Sequence, residues 1–191
     1  MKRKIGLFFG SFNPIHTGHL IVANLVYTEQ LVDEIWFVVS PHNPHKLKNN
    51  LLPEHDRLDL VREAIHDEYQ FRVSDIEFNM PRPSYTIQTI VYLEEKHPEY
   101  EFKLLIGEDN LASFPKWRNH EELLVRGLIV YPRPATKTSA LKNHPSVHWI
   151  NAPQMDISAT LIRKLVREGK SIKYLVPEKV AELITARKYF V

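Results

Sequence analysis

Ile5-Gly-Leu-Phe-Phe-Gly-Ser-Phe-Asn-Pro-Ile-His-Thr-Gly-His-Leu20 changes character twice over a short distance. Ile5, Leu7, Phe8 and Phe9 form an apolar run of the kind found in a strand buried on both faces of a parallel sheet. Gly10, Ser11, Asn13 and Pro14 break that run with turn residues. His16, Thr17, Gly18 and His19 then lead into an apolar helix that starts near Leu20. A strand, a small-residue loop and a helix N-terminus in that order bring unpaired N–H groups and the positive end of a helix dipole together where the strand stops. Such a place binds anions. The two histidines, three apart on the first turn, add side-chain donors, and the expectation is a triphosphate held for attack.

The rest of the chain repeats the alternation. Residues 18–31 read as a helix, and Glu34 to Ser40 as a second buried strand, which together with the first makes a right-handed βαβ unit. Pro53 to Asp67 reads as a helix and Phe71 to Ile76 as a strand. A helix follows Pro81-Arg-Pro-Ser-Tyr-Thr86, with Ser84 as its expected N-cap. Tyr100 to Ile106, Gly127 to Tyr131 and Val147 to Ile150 read as strands, with a short helix at His120 to Leu124. Helices at Ser158 to Glu168 and from Pro177 to about Arg187 close the chain. This order predicts an α/β fold, a doubly wound, mostly parallel sheet in a single domain over residues 1–191. The chemically suggestive residues all follow strand ends, so they should share the rim that lines the ligand crevice of such sheets.

Composition narrows the function. With 191 residues and a formal net charge of +2 the chain lacks the basic excess of a dedicated nucleic-acid binder. It has no cysteine, hence no disulfide framework, thiolate nucleophile or cysteine zinc site. The N-terminus lacks a signal-peptide core and no apolar run reaches membrane-spanning length, so a soluble cytoplasmic protein with no membrane partner is expected.

Several further segments carry chemistry. Pro41-His-Asn-Pro-His-Lys46 brings a lysine and two histidines to the rim and continues into a polar stretch through Asn50 that reads as a mobile loop. Cations there would stabilise charge developing on a phosphate. Tyr85 and Thr86 open a helix whose N–H groups can receive a small anion. Gly107-Glu-Asp109 combines close backbone approach with a carboxylate that accepts ribose hydroxyls. The polar neighbours of Trp117 suggest an exposed indole able to stack on a base. In Ile157-Ser-Ala-Thr-Leu-Ile-Arg163, Ser158 caps a helix, Thr160 lies in its first turn and Arg163 reaches back, a plausible phosphate clamp.

Gly10-Ser-Phe-Asn-Pro-Ile-His-Thr-Gly-His19 resembles the H-x-G-H signature of the nucleotidyltransferase superfamily, and Ile157 to Arg163 resembles its second signature, I-S-x-T-x-I-R. Within that superfamily the chain is similar to the nicotinate-nucleotide adenylyltransferases, in Pro44-His45-Lys46, Ser84-Tyr85-Thr86, Gly107-x-Asp109 and Trp117. The resemblance implies a Rossmann-like fold, with the last two helices, about 158–187, completing an ATP site. It implies transfer of AMP from ATP to nicotinate mononucleotide, giving deamido-NAD and pyrophosphate, with Mg2+ arriving on the ATP and no metal held by the protein itself. Gly10, Ser11, Phe12, His16, Gly18, His19, Ile157, Ser158, Thr160 and Arg163 would bind ATP. Asn13, His45, Lys46, Tyr85, Thr86, Gly107, Asp109, Trp117 and Arg133 would bind the acceptor. His16, His19, Lys46 and Arg163 would be catalytic. A homodimer is left open.

The chain departs from the family pattern at Phe9, where many relatives carry a glycine, at Asn13, a frequent aspartate, and at Glu108-Asp-Asn110. Rival readings are an acceptor of nicotinamide mononucleotide or another phosphate monoester, a zinc hydrolase using His16, His19, His42 and His45, and a non-catalytic nucleotide-binding module.

Overall fold

The described residues form six strands, the first five separated by helices: β1 (Arg3–Gly10), β2 (Glu34–Val39), β3 (Phe71–Ser74), β4 (Tyr100–Gly107), β5 (Leu128–Tyr131) and β6 (Val147–Trp149). The computed structural model describes residues 2–41, 51–134 and 138–191. The strands form one sheet in the order β3-β2-β1-β4-β5-β6, and all five pairings are parallel. The chain builds outward from β1 on one side and returns past it to β4 to build the other. That reversal separates the carboxyl ends of β1 and β4, where a ligand crevice opens in sheets of this kind.

Side-chain alternation along each strand feeds two cores. On β2, Ile35, Phe37 and Val39 pack on one face with α1 (Thr17–Thr28), α2 (Glu54–Ala64), α6 (Ala159–Arg167) and α7 (Glu178–Ala186). Trp36 and Val38 turn to the other face with α3 (Thr86–Lys96), α4 (Glu108–Ser113) and α5 (His120–Val125). Every residue of β2 is buried, as a strand covered on both faces requires.

Two local expectations are corrected. The third helix starts at Thr86 with Tyr85 at its N-cap position, and no side chain caps it. Ser84 is occupied elsewhere: its hydroxyl bonds the buried carboxylate of Glu77. Phe71 to Ile76 is not one strand, because the chain leaves β3 after Ser74 and makes a tight 3-10 turn, Ile76–Asn79, that carries Glu77 inward. Helix α4 was not foreseen, since Gly107-Glu-Asp109 reads only as the end of the fourth strand; Glu108 and Asp109 sit in its first turn, favourable at the positive end of a helix dipole.

Candidate active site

Strand β1 ends at Gly10, where the chain doubles back under its own side chain. A Cβ on Gly10 would lie 2.7 Å from Phe12 Cζ, so the fold-back needs glycine. Phe12 has φ 42, in the left-handed region that a bulky residue avoids. Its ring is held edge-on to Phe8, Phe37 and His19, with centroids 6.0, 5.7 and 5.2 Å away. Helix α1 then begins. The His16 N–H donates to His19 Nδ1 at 3.2 Å, and the two imidazoles stack with centroids 3.7 Å apart. With Nδ1 accepting, a neutral His19 carries its proton on Nε2. His16 is only 5% exposed, and burial, then the charge of Arg133, lowers its pKa to about 4. It is therefore a neutral ring at pH 7. Its Nδ1 is buried and has no hydrogen-bond partner among the described residues.

Helix α6 supplies the opposite wall. Ser158 caps it, with Oγ accepting from the Leu161 N–H at 3.2 Å. Arg163 reaches back one turn, donating from Nη2 to Thr160 Oγ1 at 3.2 Å and from Nη1 to the Asn13 carbonyl at 2.8 Å. The second motif is thereby fastened to the first across 150 residues of sequence. Thr17 makes a further tie, donating from Oγ1 to the Tyr174 carbonyl at 3.0 Å.

The third side comes from β4 and β5. A Cβ on Gly107 would collide with Asp109 Oδ1, so glycine lets that carboxylate fold back over the strand end. Asp109 pairs with Arg133 Nε at 3.5 Å, and the Arg133 N–H donates to Glu108 Oε2 at 3.3 Å. Trp117 follows the 3-10 turn Phe114–Lys116 and packs against Phe114, centroids 5.4 Å apart.

One cleft of about 570 Å3 is lined by Gly10, Ser11, Phe12, Asn13, His16, His19, Gly107, Asp109, Trp117, Arg133, Ser158, Thr160 and Arg163. Four expected site residues are not on its wall. Gly18 is buried behind His16, where a Cβ would come within 3.0 Å of His16 Nδ1, so its smallness makes room for the imidazole. Ile157 packs behind Gly18, its Cβ 3.9 Å from the same point. Tyr85 and Thr86 open α3 outside the cleft, and Arg118 Cζ lies 4.9 Å from the Tyr85 ring centroid. Trp117 is half-buried rather than exposed, because its ring joins the core around Phe114. His42, His45 and Lys46 lie outside the described residues.

Asn110 and Tyr131 also line the cleft and were not anticipated. Tyr131 is the last residue of β5, so the strand-end rule that pointed to Arg133 applies to it equally. A larger groove of about 1290 Å3 lies by α6 and α7, but of the residues above only Thr17 and its partner Tyr174 border it. Both signature segments line the smaller cleft. No helix among the described residues is long and apolar enough to cross a membrane.

The sequence model of the cytidylyltransferase-like family matches residues 7–165. A Cytophaga hutchinsonii protein named "probable nicotinate-nucleotide adenylyltransferase" is 53% identical over 188 residues, 98% of each chain. A Flavobacterium johnsoniae protein of the same name is 47% identical over 190 residues, again 98% of each chain. The solved structure of Plasmodium falciparum nicotinic acid mononucleotide adenylyltransferase complexed with NaAD superposes with a TM-score of 0.83, at 23% identity and over 98% of this chain and 97% of that one. At that identity the likeness speaks for the fold.

Proposed function

The chain belongs to the cytidylyltransferase-like family and, within it, to the nicotinate-nucleotide adenylyltransferases, and we propose that its cleft carries out that transfer as follows. AMP passes from ATP to nicotinate mononucleotide, giving deamido-NAD and pyrophosphate in NAD biosynthesis. The observation that carries this is the meeting of both signature segments in one cleft at the sheet's switch point, with Arg163 bonded to Asn13.

The acceptor's phosphate oxygen attacks the α-phosphorus of ATP as the bond to the β-phosphate bridging oxygen breaks, and pyrophosphate leaves with that electron pair. No enzyme nucleophile is needed for this displacement. Transfers of this type depend on positioning and on charge stabilisation. Holding both nucleotides in reach supplies up to roughly 7–11 kcal/mol of the barrier. His19, with its proton on Nε2, donates to the α-phosphate, and His16 stacks behind it as a neutral ring. Ser158, Thr160 and Arg163 receive the β- and γ-phosphates at the N-terminus of α6, where the helix dipole favours negative charge. Lys46 and His45 are assigned to the acceptor side on the family resemblance.

Mg2+ comes with ATP as part of the substrate and screens the triphosphate charge. Among the described residues no group of three His, Asp or Glu side chains comes together.

On the acceptor side, Gly107 and Asp109 face the ribose and the Trp117 ring stacks on the pyridine. On the family resemblance, the main-chain amides at Tyr85 and Thr86, which open α3 outside the described cleft, are assigned the carboxylate that separates nicotinate from nicotinamide. Pyrophosphate release from Mg-ATP, measured with each mononucleotide in turn, tests the reading. Strong preference for nicotinate mononucleotide is expected; equal rates would remove the Tyr85–Thr86 assignment, and no release with either would overturn the acceptor. His19→Ala should fold and lose at least roughly 100-fold in kcat, the usual scale for one lost transition-state donor. A folded His19→Ala with near-normal turnover would defeat the phosphate assignment.

A further inference from the structure

Arg57 lies in α2, fully buried, and among the described residues it makes no ion pair. Its donors go to main-chain carbonyls. Nη1 bonds Ser11 O and Ser40 O, both at 2.7 Å, Nη2 bonds Pro41 O at 2.8 Å, and Nε bonds Leu52 O at 3.0 Å. These carbonyls belong to three separate pieces of chain: the turn after β1, the end of β2, and the approach to α2. Leu52 is tied back to the turn as well, since its N–H donates to Asn13 Oδ1 at 3.1 Å. Asn13 O in turn accepts from Arg163.

A buried cation is costly, and burial draws this guanidinium's pKa down to about 10, a shift that the Glu54 carboxylate opposes only in part. An apolar side chain at this place on α2 would fill the core without that cost. The guanidinium does something an apolar residue cannot, and its carbonyl partners show what.

We propose that Arg57 is a positioning residue for the transfer: it holds the Ser11-Phe12-Asn13 turn in its phosphate-facing form and locks that turn to the rim after β2. The peptide plane is the means. With the Ser11 carbonyl drawn onto Arg57, the Phe12 N–H of the same planar trans unit points the opposite way, away from the guanidinium, in a turn whose residues line the cleft. Phe12 sits at positive φ, a conformation that persists only where its surroundings over-determine it. Arg57 and Arg163 provide that constraint from the two sides, through Ser11 O and Asn13 O. The same guanidinium holds Ser40, Pro41 and Leu52, so the nucleotide wall and the second rim move as one unit. Lysine cannot substitute, because a single ammonium lacks the planar fork that reaches four carbonyls.

The inference rests on the transferase reading, and its test separates the two. Arg57→Lys is purified, its folded fraction read by near-UV circular dichroism, and pyrophosphate release measured beside wild type. A wild-type protein that releases no pyrophosphate counts against the transferase reading. For the folded variant we expect kcat lower by roughly 10- to 100-fold, the range expected when reacting groups are misplaced by up to an ångström, with the KM for nicotinate mononucleotide changed less than about threefold. A merely structural role would lower the unfolding midpoint and leave kcat of the folded fraction intact. Amide hydrogen exchange reads the same coupling without turnover. A non-hydrolysable ATP analogue should slow exchange of the Leu52 amide in wild type and fail to do so in Arg57→Lys. Folded Arg57→Lys with kcat within twofold of wild type, or equal Leu52 protection in both, overturns the proposal. If the variant does not fold, unchanged Leu52 exchange in wild type overturns it alone.

Discussion

Gly18→Ala separates activity from stability at one methyl group. Gly18 is the second residue of α1, and alanine is favoured over glycine inside helices by roughly 0.5–1 kcal/mol. The new Cβ, however, lands 3.0 Å from His16 Nδ1 and 3.2 Å from Cε1, where ordinary contact begins near 3.4 Å. The ring must retreat by the difference, about 0.4 Å. It has little freedom to do so, being 5% exposed and stacked at 3.7 Å on His19, so the displacement passes to the ring assigned to the α-phosphate. A misplacement of 1 Å costs on the order of 100-fold in rate, and 0.4 Å scales to roughly sixfold. The expected result is a protein within about 0.5 kcal/mol of wild-type stability in urea whose kcat for pyrophosphate release falls roughly five- to tenfold. Gly169→Ala is the control. Gly169 has φ +64 and open space around it, so alanine there should cost about 1 kcal/mol of stability and leave kcat unchanged. Gly18→Ala with wild-type kcat would refute the idea that its smallness seats the imidazole pair.

Three further outcomes follow from the site. His16 should titrate near pH 4 by NMR, and its midpoint should rise when an ATP analogue brings phosphate charge beside it; a midpoint near 6.5 in the free protein would contradict the buried neutral ring. Since its unfolded value is 6.5, the unfolded chain takes up this proton first, so His16 costs about 3 kcal/mol of stability as pH falls from 6.5 to 4. Trp117→Ala should raise the KM for nicotinate mononucleotide between about 5- and 150-fold, from a stacking energy of roughly 1–3 kcal/mol, with the KM for ATP little changed; equal effects on both would place the indole elsewhere. Glu77→Gln should gain stability over wild type as pH rises above 4.5, because burial raises the Glu77 pKa and the folded protein must then hold a buried charge; urea midpoints at pH 5 and 8 measure it, and a gain that shrinks toward pH 8 would be the wrong sign.

The sheet was legible because its strands are buried on both faces, which leaves apolar runs such as Ile35 to Val39 that no surface element would carry. The two segments that meet in the cleft were legible for a related reason. Turn residues and a capped helix must be local in sequence to work, so Gly10 to His19 and Ser158 to Arg163 announce themselves. The cap at α3 was misread because Ser84 can bond either the N–H groups ahead of it or a partner distant in sequence, and the burial of Glu77 decides for the latter. The fold-back of α4 was missed because helix propensity over six residues is weak, and the dipole that Glu108 and Asp109 satisfy exists only once the helix does.

Arg57 did leave a trace, and the trace shows where sequence reading stops. It falls three residues before Leu60 and seven before Ala64, on the stripe of α2 that faces the core, where a charged residue is out of place. The pattern therefore marks position 57 as anomalous but cannot name its partners, which are carbonyls and carry no side-chain signature. Glu77 is a second buried charge, of opposite sign and held by the hydroxyls of Thr89, Ser40 and Ser84, and the two converge on one residue. Ser40 gives its carbonyl to Arg57 and its hydroxyl to Glu77, so the end of β2 is gripped from α2 and from the turn after β3 at once. Each charge alone is a buried liability. Arranged on either side of a strand end, they fix the point at which the chain leaves the sheet for the rim, and that is the precision an in-line displacement between two bound phosphates demands.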